Sequence, residues 1–362
     1  MKLHLLLIGN KFIYNTSLKE YIIRQIEQKT DFIDSITFFK EGDNSLFLYL
    51  EKELHSANRY IIVTTKQHFS TIGKLICTVT SDNQILKEDM LIPSNSSIFE
   101  KGGYLLKYKD SIANVLHIDE MENFPQILLS FEDSKATLHL FEEDRESAVA
   151  MLTPIAQMYD VKLDIVNLID GWLRVDIRSK KYGNISQFIT SSKQLLPKKI
   201  IAASNIVSYI IDKLSIFNKK IAFAESCTGG LLTYYFTKNN GASKILEGSL
   251  VTYSNTLKEN WLGVNSATLE RYGAVSSEVV FEMSDGAMNV SSADYSISIS
   301  GIAGDGGGTE HKPVGTVFVG VRNKSVHKEV RLSLSGDRNY IQHQSVLFAI
   351  KMLLLMDKEM FF

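Results

Sequence analysis

The fold of the C-terminal part of this chain is decided by the stretch Ile221-Ala222-Phe223-Ala224-Glu225-Ser226-Cys227-Thr228-Gly229-Gly230-Leu231. Its first four residues are apolar and predict a buried strand, and the apolar pattern from Leu231 onward predicts a helix. A strand that turns directly into a helix leaves the first amide groups of the helix unpaired, beside the positive end of the helix dipole. Such a turn can hold a phosphate or an oxyanion and present Ser226 to it. The alternative is that Ser226 and Thr228 only cap the helix.

Length and composition limit the classes of protein to consider. The 362 residues are enough for two or three domains, and 44% hydrophobic with 22% charged residues is typical of a soluble globular protein. The net charge of −2 gives no electrostatic reason to expect nucleic acid or a membrane as partner. Two cysteines, Cys77 and Cys227, indicate a reducing compartment. Neither Leu3–Ile8 nor Val346–Met356 has the pattern of a signal peptide or a membrane span, so we expect a cytoplasmic protein.

Residues 1–130 alternate between strand and helix patterns. We predict strands Leu3–Ile8, Ile33–Phe39 and Tyr60–Thr65, with helices Leu18–Gln28 and Leu46–Leu54 between them. This alternation predicts a doubly wound parallel sheet with helices on both faces, and Asn44 is expected to cap the second helix. The turn Thr64–Ser70 has no glycine, which makes it a poor phosphate site. Gly102-Gly103 is expected in a hairpin turn.

Residues 131–200 have a different pattern, which predicts a small α+β domain. Its expected order is strand Thr137–Phe141, helix Glu143–Tyr159, strands Val161–Val166 and Leu173–Ile177, and helix Ile185–Leu195. This order suits an RNA-binding KH domain, but the Gly-x-x-Gly backbone clamp is missing. We therefore favour packing between domains over RNA binding. Pro197 marks the expected boundary.

Residues 201–362 predict an α/β/α domain with a site at the ends of its strands. Small or reactive residues gather at 225–230, 252–258, 300–308 and 335–338. The expected helix caps are Ser204, Ser276 or Ser277, and Asp337. Ser226 is a candidate nucleophile but needs a base, and the histidines do not cluster near these loops. Lys258, one helical turn after Tyr253-Ser254-Asn255, is the candidate base, although its spacing alone favours a solvated helix residue.

Six motifs in this region occur in a characteristic order. They are Ala224–Gly230, Val251–Asn255 with Lys258, Gly273–Ser276, Ser298–Gly304, Lys312–Val317 and Gly336–Arg338. Across roughly residues 205–360 they resemble the C-terminal domain of the CinA (competence/damage-inducible protein A) family, whose activity is nicotinamide mononucleotide deamidase. Residues 1–200 resemble more weakly the other parts of such a protein. The resemblance implies a molybdopterin-binding-like domain at 1–130, a KH-like linker domain at 131–200 and the amidohydrolase domain at 201–362.

The resemblance implies hydrolysis of the carboxamide of nicotinamide mononucleotide, with release of ammonia. It implies Ser226 as nucleophile, Lys258 as its general base and Tyr253 as a supporting hydrogen-bond partner. The N–H groups near Thr228–Gly230 would bind the oxyanion or the phosphate, and Arg338 would bind the phosphate in bidentate geometry. The complete set predicted to bind substrate is Glu225, Thr228, Gly229, Gly230, Asn255, Ser300, Gly301, Gly304 and Arg338.

The sequence departs from the family pattern mainly in its first domain. Thr64–Ser70 replaces a glycine-rich turn, and Lys11 stands where the family has a glutamate. A milder change is Asp305-Gly306 in place of a Pro-Asp pair. Two alternatives therefore stay open: a non-catalytic nucleotide-binding or scaffold protein, and an ADP-ribose pyrophosphatase acting through the first domain. No metal or cofactor is expected, and the expected partners are a small nucleotide substrate and a second copy in a homodimer.

Overall fold

The computed structural model describes residues 1–30, 32–119, 122–130, 135–304 and 306–362. Asp305, in the glycine-rich loop, lies outside the described residues. The chain divides into two compact units, Met1–Asp133 and Ser134–Phe362. The finer division into domains 1–130, 131–200 and 201–362 stays a prediction.

The first unit contains eight strands and four helices among its described residues. They are β1 Leu3–Ile8, α1 Asn10–Tyr14, α2 Thr16–Thr30, β2 Ser35–Phe39, α3 Ser45–Glu53, β3 Arg59–Thr65, α4 Phe69–Thr80, β4 Gln84–Lys87, β5 Met90–Pro93, β6 Ser96–Glu100, β7 Gly103–Tyr108 and β8 Ser111–Ile118. Six of the strands form one sheet in the order β2-β1-β3-β8-β7-β6, and β4 pairs with β5. This confirms the predicted α/β class.

Strand β1 shows why this sheet is covered on both faces. Leu6 and Ile8 pack into an apolar core on one face, and Leu5 and Leu7 pack into a second core on the other. A strand buried on both faces is apolar at nearly every position, and in β1 His4 is the one exception. The predicted strands β1, β2 and β3 pair in parallel, as expected, and β6 and β7 add an antiparallel hairpin to the sheet. Gly102 lies in the turn of that hairpin with φ of 90°, which favours glycine.

The second unit begins with an antiparallel sheet. Its elements are β9 Lys135–Phe141, α5 Arg145–Met158, β10 Val161–Ile169, β11 Trp172–Ser179, α6 Ile185–Leu195 and β12 Ile200–Ala202. The sheet has the order β10-β11-β9-β12. The predicted succession of strand, helix, two strands and helix is therefore confirmed, and β12 is an additional short strand that the pattern did not indicate.

A five-stranded sheet with flanking helices completes the second unit. Its elements are α7 Ile206–Ile216, β13 Ile221–Glu225, α8 Leu231–Thr237, β14 Leu246–Val251, α9 Asn255–Leu262, α10 Ser266–Tyr272, α11 Ser277–Ser291, β15 Tyr295–Gly301, β16 Thr316–Asn323, β17 His327–Ser333, α12 Arg338–Met356 and α13 Lys358–Phe361. The strand order is β14-β13-β15-β16-β17, in which β13, β14 and β15 are parallel and the other two pairings are antiparallel.

The two sheets of the second unit share one apolar core. Phe141 and Trp172, from the antiparallel sheet, belong to the same buried cluster as Val346 and Ile350 of α12. Lys351 also reaches across, and its Nζ donates to the carbonyl of Asp170 at 2.6 Å. Side chains of the four-stranded sheet therefore help to bury α12. Burial of each large apolar side chain stabilises the folded state by roughly 2 kcal/mol.

Two predicted helix caps are wrong and two are confirmed. At α3 the side chain of Asn44 makes no capping bond, and Asp43 accepts from the Ser45 amide instead. At α7 the cap is Asn205 and not its neighbour Ser204. Ser276 caps α11 and Asp337 caps α12, as expected. The errors are shifts of one residue between side chains with nearly equal capping ability.

Candidate active site

Three parallel strands place most of the predicted site at one edge of the five-stranded sheet. Strand β13 pairs in parallel with β14 on one side and with β15 on the other, so their carboxyl ends lie together. A cavity of about 270 Å³ opens at this edge. The predicted site residues that line it are Ser226, Tyr253, Asn255, Lys258, Ser300, Gly301, Gly304 and Arg338. The remaining four, Glu225, Thr228, Gly229 and Gly230, do not line it.

The candidate nucleophile and the candidate base are in direct contact. The distance from Lys258 Nζ to Ser226 Oγ is 3.1 Å, and the same Nζ donates to the carbonyl of Thr252 at 2.7 Å. Ser254 caps α9, which fixes the start of the helix that carries Lys258. The lysine therefore reaches back from the second turn of α9 to the strand ends. The alternative of a solvated lysine is wrong, because only 1% of Lys258 is exposed.

The surroundings of Lys258 favour its neutral form. Burial lowers the pKa of this ammonium group, and the nearby Cys227 thiol opposes that shift only as a smaller contribution. Its two hydrogen-bond partners are a hydroxyl and a carbonyl, and it forms no ion pair within the described part of the chain. A neutral amine in contact with a hydroxyl can accept its proton, which is the requirement for a Ser–Lys pair.

Glu225 has a different position from the one expected of a substrate ligand. Its side chain is fully buried and its carboxylate accepts six hydrogen bonds from the protein itself. The donors are the hydroxyls of Thr228, Thr233 and Ser249 and the amides of Gly230, Leu232 and Thr233. Glu225 therefore satisfies the first amides of α8 and occupies the positive end of that helix.

The Glu225 contacts correct two predictions about the turn. Neither Ser226 nor Thr228 caps α8; its N-cap residue is Gly230, which has no side chain. The amides of Gly229 and Gly230 donate to Ser226 O and to Glu225, so they are not free to bind an oxyanion or a phosphate. The amides of Cys227 and Thr228 donate to no acceptor among the described residues.

Arg338 and Tyr253 form a pair at the cavity. Arg338 Nη2 donates to the Tyr253 hydroxyl at 2.5 Å. Tyr253 thus contacts the arginine, and its predicted hydrogen bond to the Ser–Lys pair is not present in this structure. A Cβ atom at Gly304 would lie 2.6 Å from Arg338 Nη1, so the arginine uses space that only glycine leaves free. This arrangement offers a planar, charged group to an anionic part of a ligand.

Other predicted residues have mainly structural contacts. Ser300 Oγ donates to the carbonyl of Ala274 at 2.7 Å, which ties β15 to the turn before α11. A side chain at Gly301 would collide with Val317, because its Cβ would lie 2.7 Å from Cγ2 of that residue. Asn255, the first residue of α9, lines the cavity. Substrate contacts by these residues stay predictions.

Cys227 does not replace Ser226 as a nucleophile in this geometry. Only 5% of the residue is exposed, and burial raises the pKa of its thiol to about 12. The thiol is therefore protonated at neutral pH and is a poor nucleophile. The residue that the sequence reasoning missed here is Gln342, whose Nε2 donates to the carbonyl of Cys227 at 2.6 Å. No local pattern connects positions so far apart in the chain.

The described residues contain neither a metal-binding cluster nor a helix able to span a membrane. No group of three or more His, Cys, Asp or Glu side chains among them is arranged to hold a metal ion. None of the helices formed by these residues has the length and apolar character needed to cross a membrane.

Comparisons with known proteins place the site within a family domain and identify relatives that match part of the chain. The profile of the CinA C-terminal domain family matches residues 203–356. A CinA-like protein of Fervidobacterium nodosum is 45% identical over 136 residues, which are 38% of this chain and 33% of that protein. A CinA-like protein of Thermotoga neapolitana is 46% identical over 143 residues, 39% of this chain and 35% of that one. The match spans only about a third of these two relatives.

A solved structure also matches part of this chain. The competence/damage inducible protein CihA from Agrobacterium tumefaciens is 32% identical to this chain. The match covers 42% of this chain and 93% of the other, with a TM-score of 0.41.

Proposed function

The chain belongs to the CinA family, and from this premise we propose that its second unit is a nicotinamide mononucleotide deamidase. The proposed reaction is hydrolysis of the pyridine carboxamide to the carboxylic acid, with release of ammonia. One observation carries the proposal: the buried Lys258 amine lies 3.1 Å from the Ser226 hydroxyl, and both residues line a cavity that Arg338 also lines.

The first half of the reaction transfers the acyl group to Ser226. Its Oγ attacks the carboxamide carbon while the neutral amine of Lys258 takes the hydroxyl proton. The resulting oxyanion is stabilised by amide N–H groups of the turn after Ser226. The C–N bond then breaks, the Lys258 ammonium gives its proton to the leaving nitrogen, and ammonia departs. The product of this half is an ester on Ser226.

The second half reverses the roles with water. Lys258, again neutral, takes a proton from a water molecule, which attacks the ester carbon. The tetrahedral intermediate collapses, Ser226 Oγ recovers the proton from Lys258, and the acid leaves. The two halves together consume one water and release one ammonia. No oxidant, reductant or metal ion is needed for this balance.

Arg338 supports recognition of a mononucleotide. A guanidinium group can form two parallel hydrogen bonds with phosphate, and the Tyr253 hydroxyl holds its Nη2 at 2.5 Å. The N-terminus of α8 does not bind the phosphate, because the Glu225 carboxylate already accepts hydrogen bonds from its amides. We therefore assign the phosphate to Arg338 and the carboxamide to the Ser226 side of the cavity.

We also propose that the protein is cytoplasmic and forms a homodimer. Both cysteines are free, which suits a reducing, cytoplasmic compartment. The homodimer is tested by light scattering on the purified protein.

The test is to follow the purified full-length chain with nicotinamide mononucleotide by proton NMR and by an ammonia assay. We expect nicotinic acid mononucleotide and ammonia to appear in equal amounts. ADP-ribose in a parallel reaction tests the pyrophosphatase alternative. A folded protein that cleaves ADP-ribose but leaves the mononucleotide intact would refute the proposal, and one that binds the mononucleotide without turnover would favour a binding protein.

A further inference from the structure

Gln342 connects α12 to the turn that carries the candidate nucleophile. It lies in the second turn of this helix, and its Nε2 donates to the carbonyl oxygen of Cys227 at 2.6 Å. The two residues are 115 positions apart in the sequence. The side chain is partly buried and has no charge, so its contribution to this site is a directed hydrogen bond.

Most amide groups of the turn are already occupied by acceptors within the protein. Ser226 N donates to Ile299 O at 2.9 Å, and Gly229 N donates to Ser226 O at 3.1 Å. Gly230 N donates to the Glu225 carboxylate at 3.0 Å. In the described part of the chain, the amides of Cys227 and Thr228 are the two in this turn that donate to no acceptor. They directly follow the nucleophile, where an oxyanion would form.

The carbonyl that Gln342 contacts and the amide of Thr228 belong to one peptide unit. Because that unit is planar, its C=O and N–H point in opposite directions, and fixing one fixes the other. A hydrogen bond accepted by the carbonyl also polarises the unit and strengthens the donor at its other end. The Thr228 side chain cannot turn away freely, since its hydroxyl donates to Glu225 at 2.8 Å.

We infer that Gln342 is a positioning residue: it holds the Cys227 carbonyl, and with it the turn whose amides at Cys227, which lines the cavity, and at Thr228 bind the oxyanion of the tetrahedral intermediate. This inference rests on the proposed acyl transfer to Ser226. Gln342 itself contacts neither substrate nor nucleophile in this arrangement. Gln342 therefore stabilises the transition state, in which negative charge develops on the carboxamide oxygen, and not the ground state.

The consequence is a selective loss of turnover when the donor is removed. Direct removal of an oxyanion donor costs about 10²–10³ in kcat, and loosening its orientation should cost less, about tenfold to a hundredfold. The Michaelis constant should change by less than about threefold, because substrate binding does not need the donor. The pH dependence of kcat should keep its midpoint, because Gln342 has no contact with Lys258.

The experiment compares Gln342→Met with Gln342→Arg in the full-length chain. Methionine has a similar length but no donor, whereas arginine keeps an N–H that can reach the carbonyl. Gln344→Met is the matched control: it is the same substitution on the same helix, and Gln344 Nε2 donates to Ser335 O at 3.0 Å, outside the turn. Ammonia release gives kcat and KM, and tryptophan fluorescence checks that each variant is folded.

We expect lower kcat in Gln342→Met, recovery to within about fivefold in Gln342→Arg, and wild-type values in Gln344→Met. The 3-aldehyde analogue of the mononucleotide adds a second readout, since the hydroxyl oxygen of its tetrahedral hemiacetal with Ser226 takes the position of the oxyanion. Its affinity should fall in Gln342→Met by the same factor as kcat. A folded Gln342→Met with wild-type kcat, or with only KM changed, would overturn the inference. Failure of the proposed function is seen separately, as absence of ammonia release by the wild-type protein.

Discussion

Replacement of Glu225 by glutamine should destabilise the second unit more than a single helix cap would. The carboxylate accepts three hydrogen bonds at each oxygen, from three amides and three hydroxyls. A glutamine amide accepts at one oxygen only, and its NH₂ group then faces a backbone N–H with nothing to accept. A buried donor left without a partner costs about 1–3 kcal/mol. Several donors lose their acceptor, but the hydroxyls can rotate to accept from the new NH₂ group, which limits the damage. We therefore expect the free energy of unfolding to fall by about 2–3 kcal/mol.

Guanidinium titration followed by tryptophan fluorescence measures this loss in the full-length chain. The only two tryptophans, Trp172 and Trp261, lie in the second unit, so the signal reports its unfolding. Glu247→Gln is the control, because that carboxylate only pairs with Lys220 at 2.9 Å near the surface and should matter by less than about 0.5 kcal/mol. The reasoning is refuted if Glu225→Gln and Glu247→Gln unfold at the same denaturant concentration.

The remaining predictions concern Lys258, Arg338 and the first sheet of the second unit. The rate constant kcat should rise with pH through the pKa of Lys258, which burial holds below its usual value of 10.5, because only the neutral amine accepts a proton; a kcat that shows no rise below pH 10.5 contradicts this. Lys258→Arg should be as inactive as Lys258→Ala, since guanidinium stays charged, and near-wild-type turnover would make Lys258 a binding residue. In steady-state kinetics Arg338→Lys should raise KM about tenfold with little change in kcat, and a fall in kcat alone would argue against phosphate binding. The fragment 201–362 should melt at least about 5 °C below the fragment 134–362, because it lacks Phe141 and Trp172 of the shared core, and equal melting would refute that role.

Local patterns in the sequence predicted the elements that carry the site. The apolar run before Glu225 and the two glycines after Thr228 indicated a strand, a turn and a helix, and the structure has β13 and α8 there. The spacing of Lys258 from the end of the preceding strand allowed it to reach back, although spacing could not decide between a buried and a solvated side chain. Burial depends on what packs over α9, and no local pattern contains that information.

Long-range contacts were beyond the sequence reasoning. A glutamate at the end of a strand has the same local pattern whether it binds a ligand or, as Glu225 does, the first amides of α8. Gln342 contacts Cys227 only because α12 packs against β15 and β16. The hairpin of β6 and β7 was recognised only from its glycine turn, and the helix α4 was missed. These features follow from tertiary packing, which overrides local preference.

The central claim is that Ser226, activated by Lys258, hydrolyses the carboxamide of nicotinamide mononucleotide. The most direct test is ammonia release from this substrate by the wild-type chain and by Ser226→Ala, with both proteins checked for the same tryptophan fluorescence and melting temperature. We expect turnover by the wild-type protein and none above background by Ser226→Ala, because Ser226 is the cavity hydroxyl in contact with Lys258 and the neighbouring Cys227 thiol has its pKa raised to about 12. Release by Ser226→Ala within a few-fold of wild type, or no release by a folded wild-type protein, would contradict the claim.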